Sequence, residues 1–262
     1  MNTATIEIGP WQLALTLVFV LLAQVFSLIY RLGLNRDLTI GTIRTFAQLF
    51  LMGYALKVIF RLSLSWVTLS VFLIMIICAV YTIKGRVKEK TVPFALPMFA
   101  AMFISYFVVS VTVTGLIVGA KPWWQPQYFI PIAGMIIGNS MNALAVSIER
   151  LFSDLRTKMD MVEMHLAHGA DFREASWEIV RGAVKAGMIP SINSMMGVGI
   201  VFIPGMMTGQ ILSGADPVLA IRYQIMVMLM LVASAALGTV IVVLITRNRC
   251  FGKSQRLLLR RR

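Results

Sequence analysis

Seven stretches of this 262-residue chain are apolar enough, over enough residues, to cross a lipid bilayer. A bilayer core takes about 20 apolar residues per helix. The stretches run over residues 11–30, 38–60, 65–83, 93–119, 128–148, 189–212 and 217–246. The last is long enough to tilt or to project from the bilayer. Lipid offers backbone groups no water to bond to, so such segments must be helical. The expected fold class is therefore all-α. It is a polytopic membrane protein of about seven transmembrane helices, a single transmembrane domain over residues 1–262. Between the fifth and sixth stretches lies a loop at 149–188, and a basic tail follows at 247–262.

Composition decides what the charge means. The chain is 58% hydrophobic and only 13% charged, with a net charge of +13. That excludes a disordered chain and argues against an ordinary soluble enzyme. A basic balance points to nucleic acid or to an anionic membrane surface, and the apolar excess selects the membrane. No nucleic-acid partner is expected. The tail, with Arg260, Arg261 and Arg262, is expected to hold the last helix end against lipid headgroups. Cys78 and Cys250 are too far apart in chain and setting to be read as a disulfide framework or a metal site. The flank of the first stretch carries Glu7 and no Lys or Arg, so the stretch is read as a retained helix and not a signal peptide.

Orientation follows from the distribution of Lys and Arg. With the amino terminus outside, the inside loops hold Arg31 and Arg36, then Lys84, Arg86, Lys88 and Lys90, then Arg150, Arg156, Lys158, Arg173, Arg181 and Lys185. The inside tail adds Arg247, Arg249, Lys253 and Arg256 to its terminal arginines. The outside keeps Lys57, Arg61 and Lys121 alone, and Arg44 and Arg222 fall within spans. This predicts the amino terminus outside and the carboxyl terminus in the cytosol, in the cell's inner (plasma) membrane.

The 149–188 loop has its own grammar. Leu151, Leu155, Met159, Val162 and Leu166 recur at three- and four-residue steps, the signature of an amphipathic helix continuing the fifth span. Gly169 and Ala170 break it. Asp171 then caps a second helix, with Glu174 in capping-box position. Ala175, Ile179, Ala183 and Ala186 share one face of that helix, which is expected to end near Met188, before Pro190 opens the sixth span. A short helix across the membrane face suits a protein pushed by a soluble motor. It equally suits an interfacial helix resting on lipid.

Polar groups inside hydrocarbon are costly and usually face protein or water. They are Arg44 and Gln48, Asn139 and Asn142, Asn193 and Gln210, and Arg222 and Gln224. Arg44 and Gln48 are four apart, and Asn139 and Asn142 three apart, so each pair shares a helix face. These faces either line a passage or hold the bundle together by interhelical hydrogen bonds. No Asp or Glu lies in any span to pair with Arg44, which also weighs against a proton-coupled carrier. Pro204 followed by Gly205 predicts a kink or break, and 203–210 is expected to act as a hinge or gate. Met206 and Met207 fall in it, and Met195 and Met196 lie nearby. Packing is the plainer role for such methionines, and no cluster of metal ligands stands out. Two G-x-x-x-G patterns, Gly134 to Gly138 and Gly205 to Gly209, read as helix-packing or dimer faces.

At the loop the chain comes to resemble a family. Glu163, Gly169 and Ile179 match the spacing of the cytosolic "EAA" loop of ABC transporter permeases. The alanines after the glutamate are missing, and Pro190 comes later than in that motif. Residues 130–142 (IPIAGMIIGNSMN) and 189–227 (IPSINSMMGVGIVFIPGMMTGQILSGADPVLAIRYQIMV), with Arg44, Gln48 and Gly53, are similar to the FetB-type ABC permeases. These include bacterial iron-export permeases and plant aluminium-tolerance permeases. The resemblance implies the membrane half of an ATP-driven exporter, of iron or another metal, although some plant relatives are associated with a nucleotide sugar. It implies a homodimer working with two copies of a separate ABC ATPase, which would hold the ATP and Mg. The coupling residues implied are Glu163, Gly169, Ala170, Asp171, Arg173, Glu174 and Ile179. His165 and His168 flank the elbow with no assigned role.

No G-x-x-x-x-G-K-[ST] phosphate loop occurs, so the chain is not expected to be an enzyme by itself, and no cofactor is expected in it. Two rival readings remain. One is a stand-alone channel or ion-driven carrier. The other is a membrane scaffold whose loop recruits a partner.

Overall fold

The computed structural model describes residues 8–87, 89, 92–252 and 256–259. Lys88, Lys90, Lys253 and the terminal arginines 260–262 lie outside the described residues. Every regular element among the described residues is a helix. In chain order these are α1 (Pro10–Leu15), α2 (Leu17–Ile29), α3 (Asn35–Leu62), α4 (Ser65–Arg86), α5 (Ala95–Thr112), α6 (Pro126–Thr157), α7 (Met159–Ala167), α8 (Phe172–Ala175), α9 (Trp177–Gly197), α10 (Gly205–Leu212) and α11 (Pro217–Cys250). A π-helical turn, Val113–Ile117, prolongs α5.

Among the described residues, six helical stretches are long and apolar enough to span a membrane: Pro10–Ile29, Asn35–Leu62, Ser65–Arg86, Ala95–Ile117, Pro126–Thr157 and Pro217–Cys250. They match six of the seven expected spans, several with longer ends. The expected span at 189–212 is instead two helical pieces, the end of α9 and the whole of α10, separated by residues 198–204. Its break begins at Gly197, well before the expected Pro204. Gly199 sits at φ +83°, in the left-handed region, and Val198, Ile200, Val201 and Ile203 are β-branched and stiff at χ1. Pro204, extended at φ −65° and ψ 148°, caps α10 and does not kink a continuous helix.

The second correction concerns Pro190. The loop's second helix does not end near Met188; α9 runs through Pro190 to Gly197. Proline removes one backbone donor, yet α9 carries Pro190, an exposed residue, inside the helix.

α6, α9, α11, α4 and α5 pack as one bundle around a shared apolar core. Phe72 of α4 is its aromatic hub, with ring centroids 5.8 Å from Phe103, 5.9 Å from Phe107 and 5.7 Å from Phe129. α6 and α9 cross tightly at Gly187, where a Cβ would overlap Ser147 Oγ and the Ala143 carbonyl. α11 and α5 do the same at Gly238, where a Cβ would overlap the Tyr106 ring and hydroxyl. The G-x-x-x-G patterns are therefore not the packing sites within the chain. Only Gly134 meets another helix, at Met75, and Gly138, Gly205 and Gly209 face open space. α2 and α3 lie outside the bundle: α3 has no buried residue, and of α2 only Ser27 is buried.

Candidate functional site: a loop-end platform and a neutral cavity in the bundle

The sequence of the loop builds its elbow directly. α6 leaves the bundle and, after Lys158, continues as α7. Gly169 turns the chain at φ +92°, which glycine adopts without a Cβ penalty. Asp171 caps α8, and its backbone N–H donates to Glu174 Oε2 at 3.3 Å, one half of the capping box. Glu163, Arg173 and Glu174 are exposed, Ala170 and Asp171 half-buried, and Ile179 fully buried. Ile179 thus anchors the loop while the charged residues face outward.

Contacts not visible in the sequence tie this loop to the rest of that end. The Phe172 ring packs tilted against Phe251, beyond α11, with centroids 5.3 Å apart, and the Arg247 guanidinium lies 5.5 Å from the Phe172 centroid. Arg173 approaches the same ring at 5.7 Å. Phe94 meets Phe152 at 5.7 Å, and Glu89, 4% exposed, pairs with Arg156. Glu89 and Phe94, the 149–188 loop, and Arg247 with Phe251 therefore form one platform. They belong to three of the segments that charge counting assigns to one side.

Between the helices, α6, α9, α11, the 198–204 break and the start of α10 line a half-open cavity of ≈ 370 Å³. It gathers Asn139, Pro204, Gly205, Met206 and Gln224 of the expected pathway residues. A neighbouring cavity of ≈ 420 Å³ is lined by Pro204, Met207 and Gln224, so Gln224 is a wall common to both. Asn139 Nδ2 donates to Ser191 Oγ at 3.3 Å and to the Leu231 carbonyl at 3.4 Å, bridging α6 to α9 and α11. Gln224 is 6% exposed, and its Oε1 accepts no hydrogen bond among the described residues.

The other expected residues lie elsewhere. Asn142 lines neither cavity; its Oδ1 accepts from Arg86 at 3.5 Å. Arg44 and Gln48 are exposed on α3, Asn193 on α9 and Arg222 on α11. Gln210 sits on α10 with an unpartnered Oε1 of its own. Ser191, Ser194, Phe202 and Met228 line the first cavity and were not anticipated. The serines carried a signal: they are three apart, on one helix face, beside Pro190.

Among the described residues no three His, Cys, Asp or Glu side chains gather to hold a metal ion. The fold and the site define a multi-pass helical membrane protein with an uncharged cavity between its helices. Residues 10–251 match the Uncharacterised protein family (UPF0014), and the chain belongs to it. It is 36% identical over 248 residues to the UPF0014 membrane protein YjkA of Bacillus subtilis, covering 94% of this chain and 97% of that one. Similarity to the "Probable iron export permease protein FetB" of Escherichia coli is 34% over 248 residues, 94% of each chain. Protein ALUMINUM SENSITIVE 3 of Arabidopsis thaliana is 34% identical over 237 residues, 88% of this chain and 84% of that one. No solved structure matches the chain.

Proposed function

We propose that this chain is the membrane-spanning permease subunit of an ATP-driven exporter of metal, iron first among candidates. A separate ABC ATPase, holding ATP and Mg, docks on the 149–188 loop. The observation that carries this reading is mechanical. α6 runs without a break from the cavity wall to the loop, and α9 runs from the loop's capped elbow back to the cavity. Two rods closely packed at Gly187 would carry a push on the exposed elbow to Asn139 on one side and Ser191 on the other. The name of the relative FetB supports export of iron.

Two further features belong to the proposal. The permease works as a homodimer: α3 has no buried residue and carries Arg44 and Gln48, both exposed, in mid-helix. A guanidinium in hydrocarbon is costly, and a second copy gives that face protein or water to meet. The amino terminus lies outside and the carboxyl terminus in the cytosol of the inner membrane, with 189–212 crossing as a broken span.

The test is cellular iron after iron loading, in a strain lacking the chain and in the same strain restored with wild type, Gly169→Pro or Arg173→Glu. Proline cannot adopt the φ of +92° at Gly169, and Arg173 is an exposed charge. Iron should accumulate in the deletion, fall with wild type and stay high with both variants, each still present in the membrane. Equal iron in all strains rejects iron export. Full rescue by both variants rejects the loop as the coupling element.

A further inference from the structure

The two adjoining cavities constrain the chemical form in which a cargo passes. Their polar lining is Asn139, Ser191, Ser194 and Gln224, and no ionisable side chain contributes to either. A bare divalent or trivalent cation leaving water needs compensating negative charge, and these walls offer none. Their sizes, ≈ 370 and ≈ 420 Å³, fall in the range of pockets for small organic ligands, far larger than a naked ion fills. Of the described residues that line these cavities, Gln224 alone has a buried polar atom without a partner, the acceptor Oε1, at the wall the cavities share. A buried acceptor without a donor is expensive, so a ligand that brings an N–H or O–H restores what burial removed.

We propose that this cavity binds an electroneutral metal complex, carrying its own organic ligands, with an N–H or O–H group donated to Gln224 Oε1. The inference rests on the permease reading for its cargo class and names the form that cargo takes. Asn139 positions the site from behind, because its amide is spent on Ser191 and Leu231. Met206 and Met228 supply soft, adaptable contact surface.

The experiment is equilibrium binding of radioactive iron to the full chain in lipid nanodiscs, with no ATPase present. Three probes are compared: aqueous Fe(II) under reductant, neutral tris(acetohydroxamato)iron(III), and its N-methylated analogue, which lacks N–H donors. Wild type should bind the N–H complex in preference to aqueous Fe(II). N-methylation and Gln224→Leu should each weaken it roughly three- to tenfold, and the two losses should not add. Gln224→Glu, which retains size, should shift preference toward aqueous Fe(II), and it keeps the proposal testable if the leucine variant misfolds. Tighter binding of aqueous Fe(II) by wild type overturns the proposal, as does a Gln224→Leu loss that persists with the N-methylated complex. Saturable binding of Ag(I) that excludes the complex would make the site a thioether site and also overturn it. Because binding is read without ATP, its failure is distinct from failure of the export reading, which the cellular iron assay tests.

Discussion

Replacing Gly187 by alanine is the sharpest probe of the crossing that joins loop to cavity. The new Cβ would overlap Ser147 Oγ and the Ala143 carbonyl and lie 3.1 Å from Ser147 Cβ. The hydroxyl can rotate away, but the carbonyl is α6 backbone inside a helix, so the helices must part. Overpacking a core costs about 1–3 kcal/mol, and a backbone obstacle places this change at about 2–3 kcal/mol. Alanine's better helix propensity returns up to about 1 kcal/mol, a gain that Gly138→Ala should show alone, since nothing lies within 4 Å of its Cβ position. At roughly 2–4 °C per kcal/mol for a chain of this size, Gly187→Ala should unfold several degrees below wild type. Gly138→Ala should match or exceed it. Thermal unfolding of the full chain in nanodiscs, followed by tryptophan fluorescence, reads both. Ser147→Ala should soften the Gly187→Ala penalty only in part, because the carbonyl remains. A Gly187→Ala protein as stable as wild type, or a complete rescue by Ser147→Ala, would refute the close backbone approach and with it the two-rod linkage.

Two other outcomes follow from the platform. Asp171→Ala removes the cap of α8 and should cost about 1 kcal/mol, seen as faster amide exchange over 171–176 while the bundle keeps its protection. Glu89→Gln should destabilise the protein by about 2 kcal/mol, because it leaves the Arg156 guanidinium without its buried carboxylate partner. Adding Arg156→Met should recover part of that loss in thermal unfolding, whereas purely additive losses would show that the pair contributes nothing.

The expected and observed structures agree where one segment's residues suffice and part where two segments must meet. Six spans and the loop's elbow follow from apolar length, the glycine at 169 and the Asp171–Glu174 spacing. The break after Gly197 was legible in part: Pro204 signalled an interruption, but the stiff β-branched run and Gly199 moved it upstream. Asn139 and Asn142 share a spacing, and their neighbours send one into the cavity and the other to Arg86. The G-x-x-x-G patterns met the spacing for close packing, yet Gly187 and Gly238, outside any pattern, hold the closest approaches.

What the sequence by itself determined is therefore local: where the chain is apolar for a bilayer's depth, where a backbone can turn at positive φ, and where a helix is capped. Each depends on residues a few positions apart, which the backbone holds together whatever the rest of the chain does. Only the tertiary structure decided that Gln224 divides two cavities, that Phe172 meets Phe251 beneath Arg247, and that Glu89 pairs with Arg156. Those meetings join residues many tens of positions apart. They are set by which faces of long helices pack together, and apolar faces that lipid and protein satisfy equally well leave no mark of that choice in the pattern of hydropathy.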